Sequence, residues 1–302
     1  MCPACSSANT KKNGCFRGIQ RYKCIACGTQ FQRERPVVPD EQLWHEYAHD
    51  HATARVLKQR YGRSLKWVLQ RIDAYEPPAV LSVPRAMVAI ADATRVGTDW
   101  VVVIRDPHAQ ENVHVQPVSR EAASAYQMAR EDLEKQGFTF RALVGDGRVA
   151  TPWLFPDMPI QMCQFHQLQI VIRCTTLNPK LEAGIELLSL AKTLSHTTEK
   201  EFATALESYC SKWHTFLQEK TPNQKTGGYY WTHKRLRQAR DSLRRHLPYL
   251  FTFLKYPELN IPNTTNSLDG SFKKVKIAIG VHSGLSQPRK LKLVTTLLRE
   301  RV

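Results

Sequence analysis

Two CxxC knuckles open the chain: Cys2 and Cys5 in CPAC, then Cys24 and Cys27 in CIACG, with eighteen residues between them. This spacing predicts a zinc ribbon. Each tight turn presents two thiolates, and two such turns on facing hairpins close a tetrahedral site. Four cysteines also allow a pair of disulfides. Met1 runs directly into Cys2 with no apolar leader, and no run approaches the ~18 apolar residues of a membrane span. A cytoplasmic protein is therefore expected, and thiols kept reduced there read as metal ligands. Cys15 has no CxxC partner and is expected to be a spare thiol.

The 302 residues leave room for one sizeable core and one or two small modules. Lys and Arg number 43 against 27 Asp and Glu, a formal net charge of +16, with a pI near 9.6. That balance suits a polyanion, nucleic acid first of all. The cations run through the ribbon, the middle and the C-terminal stretch, so a broad basic surface is expected rather than a charged tail.

The ribbon is expected over residues 1–36, with Arg21 and Lys23 on its hairpin facing DNA. Residues 37–78 read as helices, with Asp40, Thr53 and Ser64 placed to cap them and Gly62 separating the last two. Helix, glycine turn and capped second helix is the helix-turn-helix pattern, whose last helix would show Lys66, Gln70 and Arg71 to a groove. A helical hairpin linking two domains would read the same way. Glu76, Pro77 and Pro78 form a stiff break, taken as a domain boundary.

From residue 79 the pattern is α/β. RAMVAIADATRV, WVVVIRD and NVHVQPVS are strands at hairpin spacing; residues 120–136 are a helix ended by Gly137; FTFRALVGDGR and PIQMCQFH are further strands. Three meandering strands, a helix and a strand tipped by an acid make the ribonuclease H-like layout. Asp92 and Asp146 end apolar strands that this topology sets side by side. Two-metal phosphoryl transfer needs acids from separate elements converging in this way, and carboxylates suit magnesium or manganese. Either Asp alone could be a turn residue. Asp99 and Asp106 at hairpin turns fit structural roles, and Asp157 lies in a Pro-rich loop.

DAT at 92–94, GDG at 145–147, CQFH at 163–166 and NTTNSLDGSF at 263–272, in this order and spacing, resemble the bacterial insertion-sequence transposases related to the eukaryotic Mutator elements, in the version with an N-terminal zinc ribbon. The likeness covers most of the chain. It implies a ribonuclease H-like fold with a helical insertion, and cutting and joining of element ends by three acids with divalent metal. The acids fall on Asp92, Asp146 and Asp269. Most relatives carry glutamate at the third position, so Asp269 is one methylene short of the pattern; an exposed ion pair with Lys273 is the competing role for it. Cys163 and His166 match the family's C-x-x-H signature. They are expected to support Asp146 or the DNA through the imidazole, or to pack; a zinc site there would need two further ligands that the neighbouring sequence does not offer.

More than one hundred residues separate Asp146 from Asp269, which implies an inserted helical region at about 180–256. Its last helix carries Arg237 and Arg244 beside an apolar stripe of Leu236, Leu243, Leu247 and Leu250, either as a solvated face or in contact with phosphate. Trp213, Tyr229, Tyr230 and Trp231 can stack an unpaired base or pack in the core. Lys273 and Lys276 place cations beside the third acid. The expected function is a nucleoid-associated DNA transposase that binds element ends and target as double-stranded DNA, works as a homodimer or larger assembly, and has no membrane partner. The competing readings are a transposase descendant that binds DNA with its chemistry impaired at Asp269, and a nuclease without strand transfer.

Overall fold

A computed structural model describes residues 1–16, 19–32, 37–78, 80–147 and 154–300. The expected ribbon end at residues 33–36, and Arg148 after the GDG turn, lie outside the described residues. The chain divides into two compact units, residues 1–47 with 54–75, and residues 48–53 with 76–302.

In the first unit, β1 (Thr10–Phe16), β2 (Ile19–Cys24) and β3 (Gln30–Gln32) form an antiparallel sheet in that order. Cys24 ends β2, and its knuckle closes through the Gly28 N–H to the Cys24 carbonyl at 3.0 Å. Gly28 sits at φ +76°, a turn conformation that a side chain would strain. The first knuckle closes through the Ser6 N–H to the Cys2 carbonyl at 2.9 Å. The Sγ atoms of Cys2, Cys5, Cys24 and Cys27 all lie within 4.8 Å of one another. Cys2 and Cys27 are 3.5 Å apart, and Cys5 and Cys24 3.6 Å.

A tetrahedron with arms of about 2.3 Å sets its sulfurs roughly 3.8 Å apart, so this four-cysteine group fits zinc. Thr29, through its hydroxyl at 3.2 Å and its backbone N–H, pulls the Cys27 thiol down to about 6. Cys5 is pushed up to about 12 by the thiols of Cys27 and Cys24, despite the Ser7 N–H that favours its thiolate. Four close sulfurs become four thiolates only with a cation among them. Cys15 is exposed and outside the group, as expected.

Three helices follow: α1 (Asp40–Ala48), α2 (Ala54–Tyr61) and α3 (Leu65–Ala74). The Ser64 hydroxyl accepts from the Trp67 N–H at 3.1 Å, the cap its position predicts. Gly62, at φ +59°, ends α2. Leu43, Trp44, Tyr47, Leu57, Val68 and Ile72 are buried. Buried Glu46 on α1 receives Arg60 and Tyr61 from α2. Lys66 and Gln70 are exposed on α3. Arg71 differs from them: it is paired with Asp40 and lies 5.2 Å over the Trp67 ring, so it fastens α3 to the start of α1.

The second unit is built on β4 (Ala86–Val96), β5 (Asp99–Asp106), β6 (Glu111–Val118), α4 (Ala123–Lys135), β7 (Thr139–Gly145) and β8 (Ile160–Met162). The sheet order is β6-β5-β4-β7-β8. The pairs among β4, β5 and β6 are antiparallel, whereas β7 lies parallel to both β4 and β8. The central strands read as unbroken apolar runs because both faces are covered. Met87, Ala89 and Ala91 face one core with Tyr126, Ala129 and Leu133 of α4. Val88, Ile90, Ala142 and Val144 face the other core. Asp106 accepts from Arg85 at 2.6 Å and from the N–H groups of His108 and Ala109, the structural role its turn position suggested.

Helices α5 (Gln164–Thr175), α6 (Glu182–Lys192), α7 (Glu199–Lys212) and α8 (His214–Leu217) come next, then β9 (Lys220–Pro222) paired with β10 (Tyr229–Trp231), then α9 (Lys234–Leu250) and α10 (Thr252–Lys255). The hairpin lies between the last two helical segments of a region read as a helical insertion, and its strands are not anticipated by the sequence. Three-residue strands are too short to register as an alternating pattern, and Asn223, Gly227 and Gly228 are their only turn signal. Arg237 stacks 3.7 Å over Trp231 and donates to the Leu217 carbonyl at 2.7 Å, so this cation holds the hairpin to α9. Arg244 is exposed, as are Tyr229 and Tyr230. Trp213 donates from its indole N–H to Glu186 at 2.8 Å.

The chain closes with α11 (Asn266–Val281) and α12 (Gln287–Arg299), which bury Leu268, Phe272 and Val275, and Val294 and Leu298, in the second core. Among the described residues no helix is long and apolar enough to cross a membrane.

The purified chain is expected to carry one zinc ion at the four cysteines. Cys24→Ser should lose it and speed amide exchange across β1–β3, read by metal analysis and hydrogen exchange. Full protection of these strands in the metal-free variant would rule out a structural zinc.

Candidate active site

Strand alternation decides which face Asp92 and Asp146 occupy. Residues 88, 90 and 92 share one face of β4, and residues 142 and 144 share that face of β7, with 146 next in the same alternation. Ala91 is opposite Gly145 at the end of the parallel ladder, so both acids stand one residue beyond it; Asp146 ends its strand as expected, whereas Asp92 does not, because β4 runs on to Val96 paired with β5. The α11 side of the sheet is where both emerge, and Asp269 sits in the first turn of α11.

The start of α5 is tied to both of these elements. The Cys163 N–H donates to the Gly145 carbonyl at 2.8 Å, which extends the ladder one residue past β8. The Gln164 N–H donates to the Asn263 carbonyl at 3.0 Å, and the Asn263 amide returns a bond to Gln164 Oε1 at 3.0 Å. Cys163 Sγ accepts from the Thr265 N–H at 3.4 Å. Cys163 is fully buried, as is Thr265. A threonine just before a helix ordinarily caps it. Here the Thr265 hydroxyl makes no cap and donates to Asp269 Oδ2 at 3.2 Å, with the Cys163 thiol 3.5 Å away.

The result is a group of three ligand-type side chains: atoms of Asp92, His166 and Asp269 lie within 4.8 Å of one another. Asp146 stands outside this group but close enough for its charge to act on Asp92. His166 enters a set that sequence spacing assigned to three acids, because one turn of α5 carries it from Cys163 back toward β4. The further ligand-type groups that Cys163 and His166 lacked in their own sequence neighbourhood come from β4 and α11. Asp269 reaches this group.

The electrostatics follow from burial and crowding. Asp92 is only 8% exposed. Burial pushes its carboxyl up to about 7, with the charges of Asp146 and Asp269 adding to this, against the Ala93 N–H at 2.8 Å and the charge of His166. The adjacent Cys163 thiol raises His166 to about 9, and Asp92 and Asp269 add to the effect against burial. In return His166 draws the Cys163 thiol down despite its burial. Carboxylates gathered in a desolvated place call for positive charge.

The helical region contributes a residue that sequence reasoning passed over. His246 of α9 lies against the GDG turn, where a Cβ on Gly147 would come within 3.0 Å of its Cε1 and 3.1 Å of its Nε2. A side chain at position 147 would make the His246 ring give by a few tenths of an ångström. His246 Nδ1 is 2.7 Å from Oε1 of fully buried Gln167. The end of α9 is fixed in turn: Gln161 and Gln164 both donate to the Leu250 carbonyl, at 3.0 and 2.9 Å. Thr265, four residues before Asp269, had a signal in the sequence, since that spacing stacks two side chains at a helix start. His246 had none.

Compared with protein-family models and with curated proteins, the chain matches none.

The folded chain holds a proton on Asp92 that the unfolded chain releases between its ordinary value of 3.8 and about 7, so this carboxyl lowers stability as pH rises across that window. With divalent metal chelated, Asp92→Asn is expected to match the native protein near pH 4. Above pH 7 the variant should be more stable by up to a few kcal/mol, at roughly 2–4 °C of melting temperature per kcal/mol. A native protein at least as stable as the variant at pH 8 would mean that the carboxylate carries no such strain.

Proposed function

We propose that this chain is a DNA transposase of an insertion sequence, with a ribonuclease H-like core that cuts and joins phosphodiesters at Asp92, Asp146 and Asp269. The observation that carries the reading is the meeting of Asp92 and Asp269 beside Asp146 on one sheet face, from elements far apart in sequence. The sheet order, with three antiparallel strands followed by two parallel ones, supports it. So does a net charge of +16.

The donor set fits a divalent cation. Asp92 and Asp269 would hold it, with Asp146 alongside. A divalent ion there would polarise the scissile phosphate and make bound water a competent nucleophile near neutral pH. The chain's own residues do the remaining work. The Thr265 hydroxyl fixes the Asp269 carboxylate, and the Cys163 stitch fixes Thr265. Lys273 and Lys276, four and seven residues after Asp269, continue its side of α11 and would grip the phosphates of a bound strand. Arg244 is a further exposed cation, on α9 beside α7. In the first unit, Lys66 and Gln70 on exposed positions of α3, and Arg21 and Lys23 on β2, would contact the duplex ends as a ribbon and helix-turn-helix. Zinc at the four cysteines would hold the ribbon. Pairing two element ends calls for at least a dimer, working in the cytoplasm at the nucleoid.

The departure at Asp269 favours a second reading, a DNA-binding descendant with impaired chemistry. A labelled duplex carrying the element's terminal sequence, incubated with magnesium or manganese, separates the two. The native protein is expected to cut it, and Asp92→Asn and Asp146→Asn to lose at least on the order of 10²-fold in rate while still binding. A silent native protein with cutting restored by Asp269→Glu would establish the descendant. Normal cutting by both Asn variants would overturn the proposal.

A further inference from the structure

The ligand-type group that gathers around Asp92 contains a nitrogen donor. A site of oxygens alone suits magnesium, which holds its waters tightly and is bound through carboxylates and substrate phosphates. Imidazole suits first-row transition metals. With all pairs of ligand atoms within 4.8 Å, side-chain shifts of under about 1 Å would bring all three onto one ion at ordinary metal–ligand distances. A divalent ion touching Asp92 and Asp269 therefore has the His166 ring as a neighbour, and the ring would bind it by giving up the proton that Cys163 and the two carboxylates favour in the metal-free site.

Three further features fit a ligand. His166 Nδ1 is buried with no well-formed hydrogen bond, the Cys163 thiol being the neighbour that acts on the ring. The backbone of α5 just before it is fixed by the Cys163 N–H on Gly145 and by Gln164 on Asn263. Asp269, across the site, is held by Thr265. The donors are thus positioned by bonds that need no metal, as ligand sets generally are by their outer partners.

We infer that His166 is a direct nitrogen ligand, with Asp92 and Asp269, of a first-row transition dication of the manganese class, which the site takes in preference to magnesium. This rests on the metal-dependent reading of the site but not on its chemistry. Binding without DNA cutting would remove the transposase function and leave the ligand assignment standing.

The test uses the full zinc-loaded chain titrated with Mn²⁺ and read by electron paramagnetic resonance. One Mn²⁺ should bind with a directly coordinated ¹⁴N coupling, and that coupling should change to ¹⁵N when the native protein is made with ¹⁵N-histidine. Labelling needs no substitution, so the test survives a variant that fails to fold. His166→Gln, if folded, should lose the coupling and weaken Mn²⁺ binding on the order of 10–100-fold, and equimolar Mg²⁺ should leave bound Mn²⁺ in place. Asp92→Asn should abolish binding. Bound Mn²⁺ without histidine coupling, a coupling that persists in His166→Gln, displacement by equimolar Mg²⁺, or no Mn²⁺ bound at this site would each overturn the inference.

Discussion

The peptide and thiol of Cys163 join three pieces of chain that share no sequence neighbourhood. Its N–H closes on the end of β7, its thiol accepts from the residue before α11, and its helix carries His166 one turn on. Each bond is modest, about 1 kcal/mol net, but each would leave a buried polar group unsatisfied if broken. The sheet alone places Asp92 and Asp146. Leu268, Phe272 and Val275 hold α11 against the same sheet by packing, and this junction ties the starts of α5 and α11 to each other beside the acids. A buried cysteine serves here as a small polar joint rather than a reactive thiol.

Much of this layout was legible in the sequence, for physical reasons that differ by element. The β4–β7 region reads clearly because strands covered on both faces must be apolar throughout, so an acid within such a run stands out. The cysteine knuckles read clearly because their spacing is dictated by the size of a zinc–thiolate tetrahedron. The β9–β10 hairpin did not, since three-residue strands leave no period. Arg71 and Arg237, candidates for DNA contact, are stacked on Trp67 and Trp231, which the sequence did not reveal. Arginine charge is visible in a sequence, whereas the aromatic ring that claims it is not.

The site itself was half legible. Asp92 and Asp146 could be named from strand ends and Asp269 from the family resemblance of its segment, but His166 as a member of the group could not. Its approach to Asp92 and Asp269 depends on the angle at which α5 leaves β8. His246 and Gln167 depend on α9 folding back over the GDG turn, a contact of high sequence separation with no local signature. Burying a carboxyl beside other acids is costly to the fold, as the direction of the Asp92 shift indicates, and the charge of His166 offsets part of that cost. Such strain is typical where function, rather than stability, sets the arrangement.

The account stands on Asp92, His166 and Asp269 forming one cation site. The direct measurement is anomalous X-ray scattering from crystals of the full chain grown with manganese. The account predicts a single strong peak in the second unit, bonded to carboxylate oxygens of Asp92 and Asp269 and to a ring nitrogen of His166. A peak elsewhere in that unit, or none there at saturating manganese, would contradict it.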